Sequence, residues 1–280
     1  MRLGLKVLMI GLIPAFISAQ TYGNSNDHNA QELKGKLVIT GSSTVAPLVS
    51  EIAKRFEARH SDVRIDVQMG GSSRGISDVR QGISDIGMIS RPLKENEKDI
   101  TAFPIALDGI TMIVHESNPI DELTNEEIIG IYTGKITNWG EVGGSDAPIT
   151  VVSKAEGRGT LDLFLKYFQL KSQDIKPHVI IGDNEQGVKT VSGNENSIGF
   201  VSVGTAEYDA GIGIPVKPLP LNGVAASTEN IRNGDFPLSR KLNLVTNARP
   251  EGLVEKFIEF AGSNEVADII EEQYFVTISK

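Results

Sequence analysis

The chain has 280 residues, of which 40% are hydrophobic and 22% are charged, which suits one large globular domain or two small ones. Its net charge of −9 disfavours nucleic acid as a partner, because proteins that bind nucleic acid usually carry a basic surplus. The absence of cysteine excludes disulfide bonds and a lipid-modified N-terminal cysteine. An anion site would therefore have to be local, built from backbone N–H groups and a few cations.

The N-terminus has the features of a secretory signal. Arg2 lies in a short basic region, the stretch 7–18 is apolar, and Ala19 is a small residue at a suitable cleavage point. We predict a signal peptide over residues 1–19 and a flexible leader over 20–34. The mature protein is then expected to be soluble and periplasmic, without a lipid anchor.

The first predicted elements are a strand, a turn and a helix, and this unit occurs three times along the chain. Each turn combines glycine with serine or threonine. The units are the strand 36–40 with the turn GSST and the helix 45–60, the strand 63–69 with the turn GGSSRG and the helix 76–83, and the strand 148–153 with the turn KAEGRGT and the helix 161–170. The recurrence indicates that the three turns serve one purpose.

The other segments continue the alternation of strands and helices. Further strands are predicted over 84–90, 105–115, 197–204 and 239–246, and helices over 124–134 and, in two pieces, 250–275. This order predicts an α/β architecture with mostly parallel sheets, in which ligands bind at the carboxyl ends of the strands. If the chain forms two lobes, it crosses between them near 105–115 and 236–242.

The second turn has a competing interpretation. Residues Gly71 to Gly75 fit the pattern G-x-S-x-G, which presents the nucleophile of many serine hydrolases. Ser73 would then need a histidine base and an acid that orients it, and only His178 lies in a suitable downstream loop. A single nucleophile would also leave the other two turns unexplained. A serine hydrolase using Ser73 is kept as the alternative of a different class.

An anion site explains all three turns together. Helix N-termini leave backbone N–H groups unpaired and carry the positive end of the helix dipole. Glycine allows close approach of an anion, and serine or threonine adds hydroxyl donors. Four cations lie in or beside the turns, namely Arg74, Arg91, Lys154 and Arg158. These features predict an oxyanion site with no need for chemistry.

Long motifs between about residues 36 and 275 resemble those of the periplasmic phosphate-binding proteins of phosphate ABC transporters. The motifs are ITGSSTVAPLVSEIAKRFE, GGSSRGISDVRQGISDIGMISRPL, IALDGITMIVHESNP, LTNEEIIGIYTGKITNWGEVGG, EGRGTLDLF and SIGFVSVG. The resemblance implies the α/β, two-lobed type II periplasmic-binding-protein fold, with a ligand cleft between lobes joined by a two-strand hinge. It places lobe I over 35–112 and 237–280 and lobe II over 113–236.

The resemblance, together with the cations at the turns and one nearby carboxylate, gives a set of expected ligand-binding residues. The residues expected at phosphate are Ser43, Thr44, Val45, Ser72, Ser73, Arg74, Ser90, Arg91, Asp108, Lys154, Arg158, Gly159 and Thr160. The backbone N–H of Val45 is expected to act with the hydroxyl of Thr44, and Ser72 is favoured over Ser73 as a direct ligand. No cofactor and no metal ligand is expected.

Three positions depart from the family pattern. The family usually has arginine at Lys154 and often serine at Arg158, so Arg158 is hypothesised to supply the bidentate fork that lysine lacks. Ser90 stands where one branch of the family has aspartate. A carboxylate can accept the proton of phosphate and repel sulfate, and Asp108 or Glu156 could take over that role. Glu156 could equally pair with Lys154 or Arg158.

These observations predict a monomeric, non-enzymatic protein that binds inorganic phosphate outside the cytoplasm and delivers it to an ABC-transporter permease. A binding protein for sulfate or another oxyanion is the alternative within the same fold. Selectivity between phosphate, sulfate and arsenate stays open at this stage, as do the affinity, the cognate permease and a free-standing scavenging or adhesion role.

Overall fold

The computed structural model describes residues 33–278. The predicted signal peptide and all of the predicted leader except Leu33 and Lys34 lie outside the described residues. Among residues 33–278, no helix has both the length and the apolar composition needed to cross a membrane.

Strands and helices alternate along most of the described chain. The strands are β1 (Gly35–Gly41), β2 (Val63–Met69), β3 (Ile86–Ile89), β4 (Thr101–His115), β5 (Thr150–Lys154), β6 (Val179–Ile181), β7 (Ser197–Ser202), β8 (Val216–Pro218) and β9 (Ser239–Thr246). The α-helices are α1 (Ala46–Arg59), α2 (Ser72–Arg80), α3 (Asn125–Tyr132), α4 (Gly159–Tyr167), α5 (Asn184–Ser192), α6 (Val203–Gly211), α7 (Thr228–Asn233), α8 (Gly252–Ala261) and α9 (Ala267–Glu272).

The strands form one mixed sheet in the order β2-β1-β3-β9-β4-β7-β5-β6, with β8 paired to β4. Parallel pairs occur at both ends, where β1 joins β2 and β3 and where β5 joins β6 and β7. The middle is antiparallel, because β9 pairs with β3 and β4 and β4 pairs with β7. The expectation of mostly parallel sheets is therefore wrong for the middle of the sheet, where the crossing strands run in opposite directions.

Two large hydrophobic cores follow one another along β4, and each includes residues from a different part of that strand. One core contains residues of α1, α8 and several strands, among them Ala106 on β4 and Leu242 on β9. The other contains α4 and the strand residues from Ile110 onwards, together with Leu238 just before β9. The fold is thus the two-lobed type II architecture, and we call the halves around these cores lobe I and lobe II. The predicted lobe boundaries at 112/113 and 236/237 stay a prediction, while the change of core occurs between Ala106 and Ile110 on β4.

Two helices begin earlier in the chain than the apolar pattern predicts. Helix α2 begins at Ser72 instead of residue 76, and α4 begins at Gly159 instead of residue 161. Gly71 precedes α2 with a φ of 100°, a backbone conformation that favours glycine. The first turn of each helix therefore consists largely of polar turn residues, and apolar periodicity cannot detect them.

Candidate anion-binding site

The second and third turns meet at Gly159, the first residue of α4. A Cβ atom placed on Gly159 would lie 2.4 Å from Ser72 Oγ and 2.7 Å from Ser90 Oγ. Ser72 opens α2 in lobe I, Ser90 follows β3, and Gly159 opens α4 in lobe II. The close approach shows that the two lobes bring these turns to one place, and that only glycine leaves room between the hydroxyl groups.

Backbone N–H groups at three helix starts carry no protein hydrogen bond within residues 33–278. These are the N–H groups of Thr44, Val45, Ser72, Gly159 and Thr160. Such unpaired donors lie at the positive ends of helix dipoles and are suited to an anion. The prediction of a shared donor site at three turns fits this arrangement.

Three hydroxyl groups at these turns accept a hydrogen bond from the protein. Ser72 Oγ accepts from the N–H of Ser90 at 3.1 Å, and Thr160 Oγ1 accepts from Arg240 Nη1 at 2.9 Å. Thr44 Oγ1 accepts from Asn184 Nδ2 at 3.4 Å. The bond between Thr44 and Asn184 crosses the cleft, since Thr44 belongs to lobe I and Asn184 to lobe II.

Arg240 on β9 is a central residue of this region that sequence reasoning missed. Its guanidinium is fully buried and donates through Nε and Nη2 to Asp108 Oδ2 at 2.9 and 2.6 Å. Nη1 donates to Thr160 Oγ1 and to the carbonyl of Ser90 at 3.1 Å. A signal was present in the sequence, because Arg240 is in phase with the core residues Leu242 and Leu244 of the same strand.

Asp108 neutralises Arg240 instead of facing a ligand. One carboxylate oxygen accepts both bonds from Arg240, and the other accepts from Ser202 Oγ at 2.7 Å. The side chain is fully buried. The structure therefore brings Asp108 to the region but gives it the role of orienting Arg240.

Lys154 ends β5 and points its ammonium group at the start of α5. Nζ donates to the carbonyl of Asp183 and to Asn184 Oδ1, both at 3.0 Å. Burial, together with the nearby positive charges of Arg240 and Arg158, lowers the pKa of Lys154 to about 7 from its ordinary 10.5. A negative charge beside this amine would favour its protonated form and would therefore raise its pKa. Asn184, which links Lys154 to Thr44, was not foreseen from the sequence.

Arg158 and Glu156 share a turn but face different surroundings. The Arg158 side chain is half-buried and runs past the backbone of Gly71 and Gly182, and its guanidinium has no hydrogen-bond partner within the described chain. Glu156 is exposed and accepts a hydrogen bond from Ser172 Oγ at 2.8 Å. Neither alternative for Glu156 holds, since it neither reaches the cleft nor pairs with Lys154 or Arg158.

The structure does not bring Arg74 or Arg91 to the turns as ligands. Arg74 is 43% exposed on the outer face of α2, where it pairs with Asp78 at 3.1 Å. Arg91 is buried, but its guanidinium is held by Glu97 at 2.7 and 2.8 Å and by Asp162 at 2.8 Å. Both arginines were predicted from their position in or beside a turn. Carboxylates engage them instead, from α2 itself for Arg74 and from the segment after β3 and α4 for Arg91.

Ser73 contributes its backbone to the cleft. Its N–H donates to the carbonyl of Gly157 across the lobes at 3.0 Å. Within residues 33–278 no histidine is hydrogen-bonded to its hydroxyl. His60 packs on a phenylalanine ring, His115 pairs with a neighbouring serine, and His178 accepts from a strand N–H. The dyad that the hydrolase alternative requires is absent from the described residues.

Ser43 lies at an opening beside the site. With Thr44, Asp183 and Asn184 it lines a groove of about 460 Å³ between the lobes. Since Thr44 and Asn184 also belong to the hydrogen-bonded region, the groove adjoins it. Among the described residues no group of three or more histidine, aspartate or glutamate side chains is arranged to hold a metal ion.

Comparison with known proteins places this geometry in a family. A model described as a PBP superfamily domain matches residues 18–265. The chain is 27% identical over 289 residues to the phosphate-binding protein PstS of Bacillus subtilis, covering 99% of this chain and 94% of that protein. It is 30% identical over 250 residues to the PstS of Borreliella burgdorferi, covering 86% of this chain and 89% of that protein.

Solved structures agree with these sequence matches. A putative phosphate ABC transporter substrate-binding protein from Clostridium perfringens with bound phosphate is similar at a TM-score of 0.79 and 36% identity, over 88% of this chain and all of that one. An ABC-type phosphate transport receptor from Vibrio cholerae is similar at a TM-score of 0.74 and 30% identity, over 86% of this chain and all of that one.

Proposed function

The chain belongs to the PBP superfamily and, within it, to the phosphate-binding proteins of phosphate ABC transporters, and we propose that its cleft binds phosphate between the three helix starts described above. One observation carries the location of the site. Gly159 of lobe II lies against the hydroxyl groups of Ser72 and Ser90 of lobe I, with unpaired N–H donors on both sides. A ligand held there contacts both lobes.

The proposed ligand set combines hydroxyl groups, backbone donors and cations. It consists of Thr44, Val45, Ser72, Ser90, Lys154, Arg158, Gly159, Thr160 and Arg240, with Ser43 at the opening. About eight charge-assisted hydrogen bonds at roughly 1.5–3 kcal/mol each exceed the roughly 4–15 kcal/mol cost of association. Micromolar affinity, which needs about −8 kcal/mol, is within reach without any covalent chemistry.

Binding is proposed to favour the closed arrangement of the lobes. Hydrogen bonds between the lobes join Ser73 to Gly157 and Asn184 to Thr44. A ligand that touches donors on both lobes binds this arrangement more tightly than an open one, and therefore shifts the population towards it. The protein would then deliver phosphate to a membrane permease in its closed form.

The proposal includes a non-enzymatic, monomeric protein that acts outside the cytoplasm. The relatives are named as binding proteins or transport receptors, and a site made of donors and cations binds an oxyanion without a nucleophile and base. The Ser73 hydroxyl provides no catalytic dyad within the described chain. Delivery can be measured as phosphate uptake by cells that lack the chain and are complemented with wild type or a binding-deficient variant.

The Gly159→Ala substitution tests the location of the site. The added methyl group would fall 2.4 Å from Ser72 Oγ, in the space between the hydroxyl groups. We expect phosphate affinity to fall by at least about a hundredfold, which corresponds to about 2.7 kcal/mol. Isothermal titration measures the affinity.

Gly211→Ala is the matched control, because a Cβ at Gly211 on α6 meets no atom within 4 Å. It should bind phosphate like the wild type. Wild-type affinity in a folded Gly159→Ala protein would contradict the proposed location, and the absence of phosphate binding in the wild type would contradict the proposed function.

A further inference from the structure

A groove between the lobes opens beside the proposed anion site. It is the groove of about 460 Å³ that Ser43, Thr44, Asp183 and Asn184 line. Thr44 and Asn184 are also joined by the hydrogen bond that crosses the cleft, so the groove reaches the side chains around the site. A substituent on one oxygen of a bound phosphate would therefore have room in this groove.

The charged side chains that line the groove are all acidic. They are Asp183, Glu185 and Glu272, and none of the described residues that line it is lysine, arginine or histidine. None of the three carboxylates forms an ion pair within residues 33–278. The Lys154 ammonium lies close enough for Asp183 and Glu185 to raise its pKa, so it offsets part of their charge.

A further carboxylate adds to this negative charge. Asp209 on α6 is 5% exposed, and its Oδ2 has no hydrogen-bond partner within the described chain. Burial raises the pKa of the Glu185 carboxyl, and the nearby charges of Asp209 and Asp183 raise it further. The attraction of Lys154 opposes this rise but does not cancel it. A positively charged group in the groove would relieve the repulsion between these carboxylates.

The apolar part of the groove wall is largely aromatic. Tyr208 on α6 and Tyr274 after α9 have ring centroids 5.3 Å apart, and both line the groove together with Met69. The backbone of Tyr274 packs against Gly204 so closely that no side chain would fit there, which fixes the ring at the groove. Aromatic rings attract ammonium groups and recognise organic cations such as choline in this way. Rings and carboxylates together therefore favour an organic ammonium group.

The start of α5 places the two kinds of surroundings next to each other. Asn184 contacts both Thr44 and Lys154, and it stands between Asp183 and Glu185 in the chain. A phosphoryl group held at the helix starts thus has acidic side chains within reach of a short chain of atoms.

We propose that the cleft also takes phosphate monoesters of short amino alcohols, with the phosphoryl group at the helix starts and the ammonium group in the acidic, aromatic groove. The inference rests on the proposed function for the position of the phosphoryl group. It extends the ligand range from inorganic phosphate to a class of zwitterionic esters.

The test is a titration of the mature wild-type protein with inorganic phosphate, phosphoethanolamine and n-propyl phosphate at about pH 7, where the amine is charged and the phosphoryl group is mainly dianionic. In n-propyl phosphate a methyl group replaces the ammonium group. We expect phosphoethanolamine to bind at least about tenfold more tightly than n-propyl phosphate, because several carboxylates and two rings attract the ammonium group. High salt should reduce this ratio, since exposed carboxylates are screened. Phosphate should displace phosphoethanolamine competitively.

The outcomes separate the inference from the proposed function. Binding of phosphate without phosphoethanolamine, or equal binding of the two monoesters, would overturn the inference and leave the proposed function intact. Phosphoethanolamine that phosphate does not displace would overturn the inference as well, because it would be bound elsewhere. Absence of phosphate binding would overturn the proposed function and the inference together.

The Glu185→Gln variant tests the groove separately. It should weaken phosphoethanolamine relative to inorganic phosphate by about threefold, the effect of one partly exposed charge. The comparison with phosphate removes any shared effect on Lys154. Glu229→Gln is the matched control, because Glu229 is an exposed acid in the first turn of α7 and does not line the groove. An unchanged ratio in Glu185→Gln, or the same change in both variants, would contradict the groove as the ammonium site.

Discussion

Lys154 is the residue whose protonation links the site to pH. Its pKa of about 7 means that the buried amine changes charge near neutral pH in the absence of an anion. An anion held beside the ammonium favours the charged form, so binding takes up protons whenever the pH lies above this pKa. The contribution of Lys154 to affinity is therefore complete below about pH 7 and is lost as the pH rises.

We expect phosphate affinity to fall by up to about tenfold per pH unit between about pH 7 and pH 9, the slope for uptake of one proton. Isothermal titration across this range measures the slope. Lys154→Arg should flatten it, because guanidinium stays protonated. Lys98→Arg, at an exposed lysine, should leave it unchanged. A wild-type affinity independent of pH would contradict the role of Lys154.

Arg240 ties the stability of the protein to the site. It forms a fully buried ion pair with Asp108 at 2.6 Å. Arg240→Met leaves that carboxylate buried without its partner, so we expect a loss of about 3–5 kcal/mol in the free energy of unfolding. Urea unfolding without phosphate measures the loss. The double variant with Asp108→Asn should regain most of the stability but not phosphate affinity.

Arg232→Met is the control for Arg240→Met, because Arg232 on α7 is half-exposed and lies 3.9 Å from Glu271. Surface pairs of this kind contribute about 0–1 kcal/mol. A similar loss of stability in both single variants would show that the buried pair has no special role. Recovery of phosphate binding in the double variant would contradict the ligand role of Arg240.

At the scale of elements, helix α4 is fastened to lobe I by a network of charges. Asp162 in its first turn accepts from Arg91 at 2.8 Å and from Lys94 at 3.0 Å, and both partners lie in the segment after β3. Glu97 holds Arg91 from the other side at 2.7 Å. The network is partly buried and connects the lobes, so it stabilises the closed arrangement.

Asp162→Ala should lower phosphate affinity by about threefold to tenfold, since a partly buried charged contact is worth roughly 0.5–1.5 kcal/mol. The unliganded variant should also be more extended in small-angle scattering. Glu95→Ala, which breaks an exposed pair with Lys98 inside lobe I, should change neither quantity. Unchanged affinity and dimensions in Asp162→Ala would show that the network does not contribute to closure.

The elements show which features of the fold the sequence could predict. The strand–turn–helix units are visible because apolar periodicity and glycine-rich turns are local signals. The antiparallel crossing of β4 and β9 was not visible, because strand direction depends on contacts between distant segments. The starts of α2 and α4 were placed too late, since polar residues in a cleft-facing first turn lack the apolar pattern.

The site shows the same division. Ser72, Gly159 and Thr160 were predicted from turn composition and family resemblance, and the structure brings them together. Arg74 and Arg91 have the same local signal, but the carboxylates that engage them come from α2, the segment after β3, and α4. Arg240 could be recognised as a buried residue from the sequence only because it alternates along β9 with the core residues Leu242 and Leu244.

At the scale of the whole molecule, an acidic protein concentrates positive charge in one cleft. The chain carries a net charge of −9, yet Lys154, Arg158 and Arg240 lie close enough to affect the pKa of Lys154. The cleft lies between two separate hydrophobic cores, and β4 and β9 connect them. This arrangement suits a receptor that closes on its ligand and opens to release it.

The most direct test of this account is a crystal structure of the mature protein with phosphate. We expect one phosphate per chain in the cleft, with its oxygen atoms about 2.6–3.1 Å from the hydroxyl groups of Thr44, Ser72 and Thr160. Arg240 and the N–H groups at the start of α4 should complete the contacts. Phosphate bound away from these helix starts, or a closed cleft without phosphate at saturating concentration, would contradict the account.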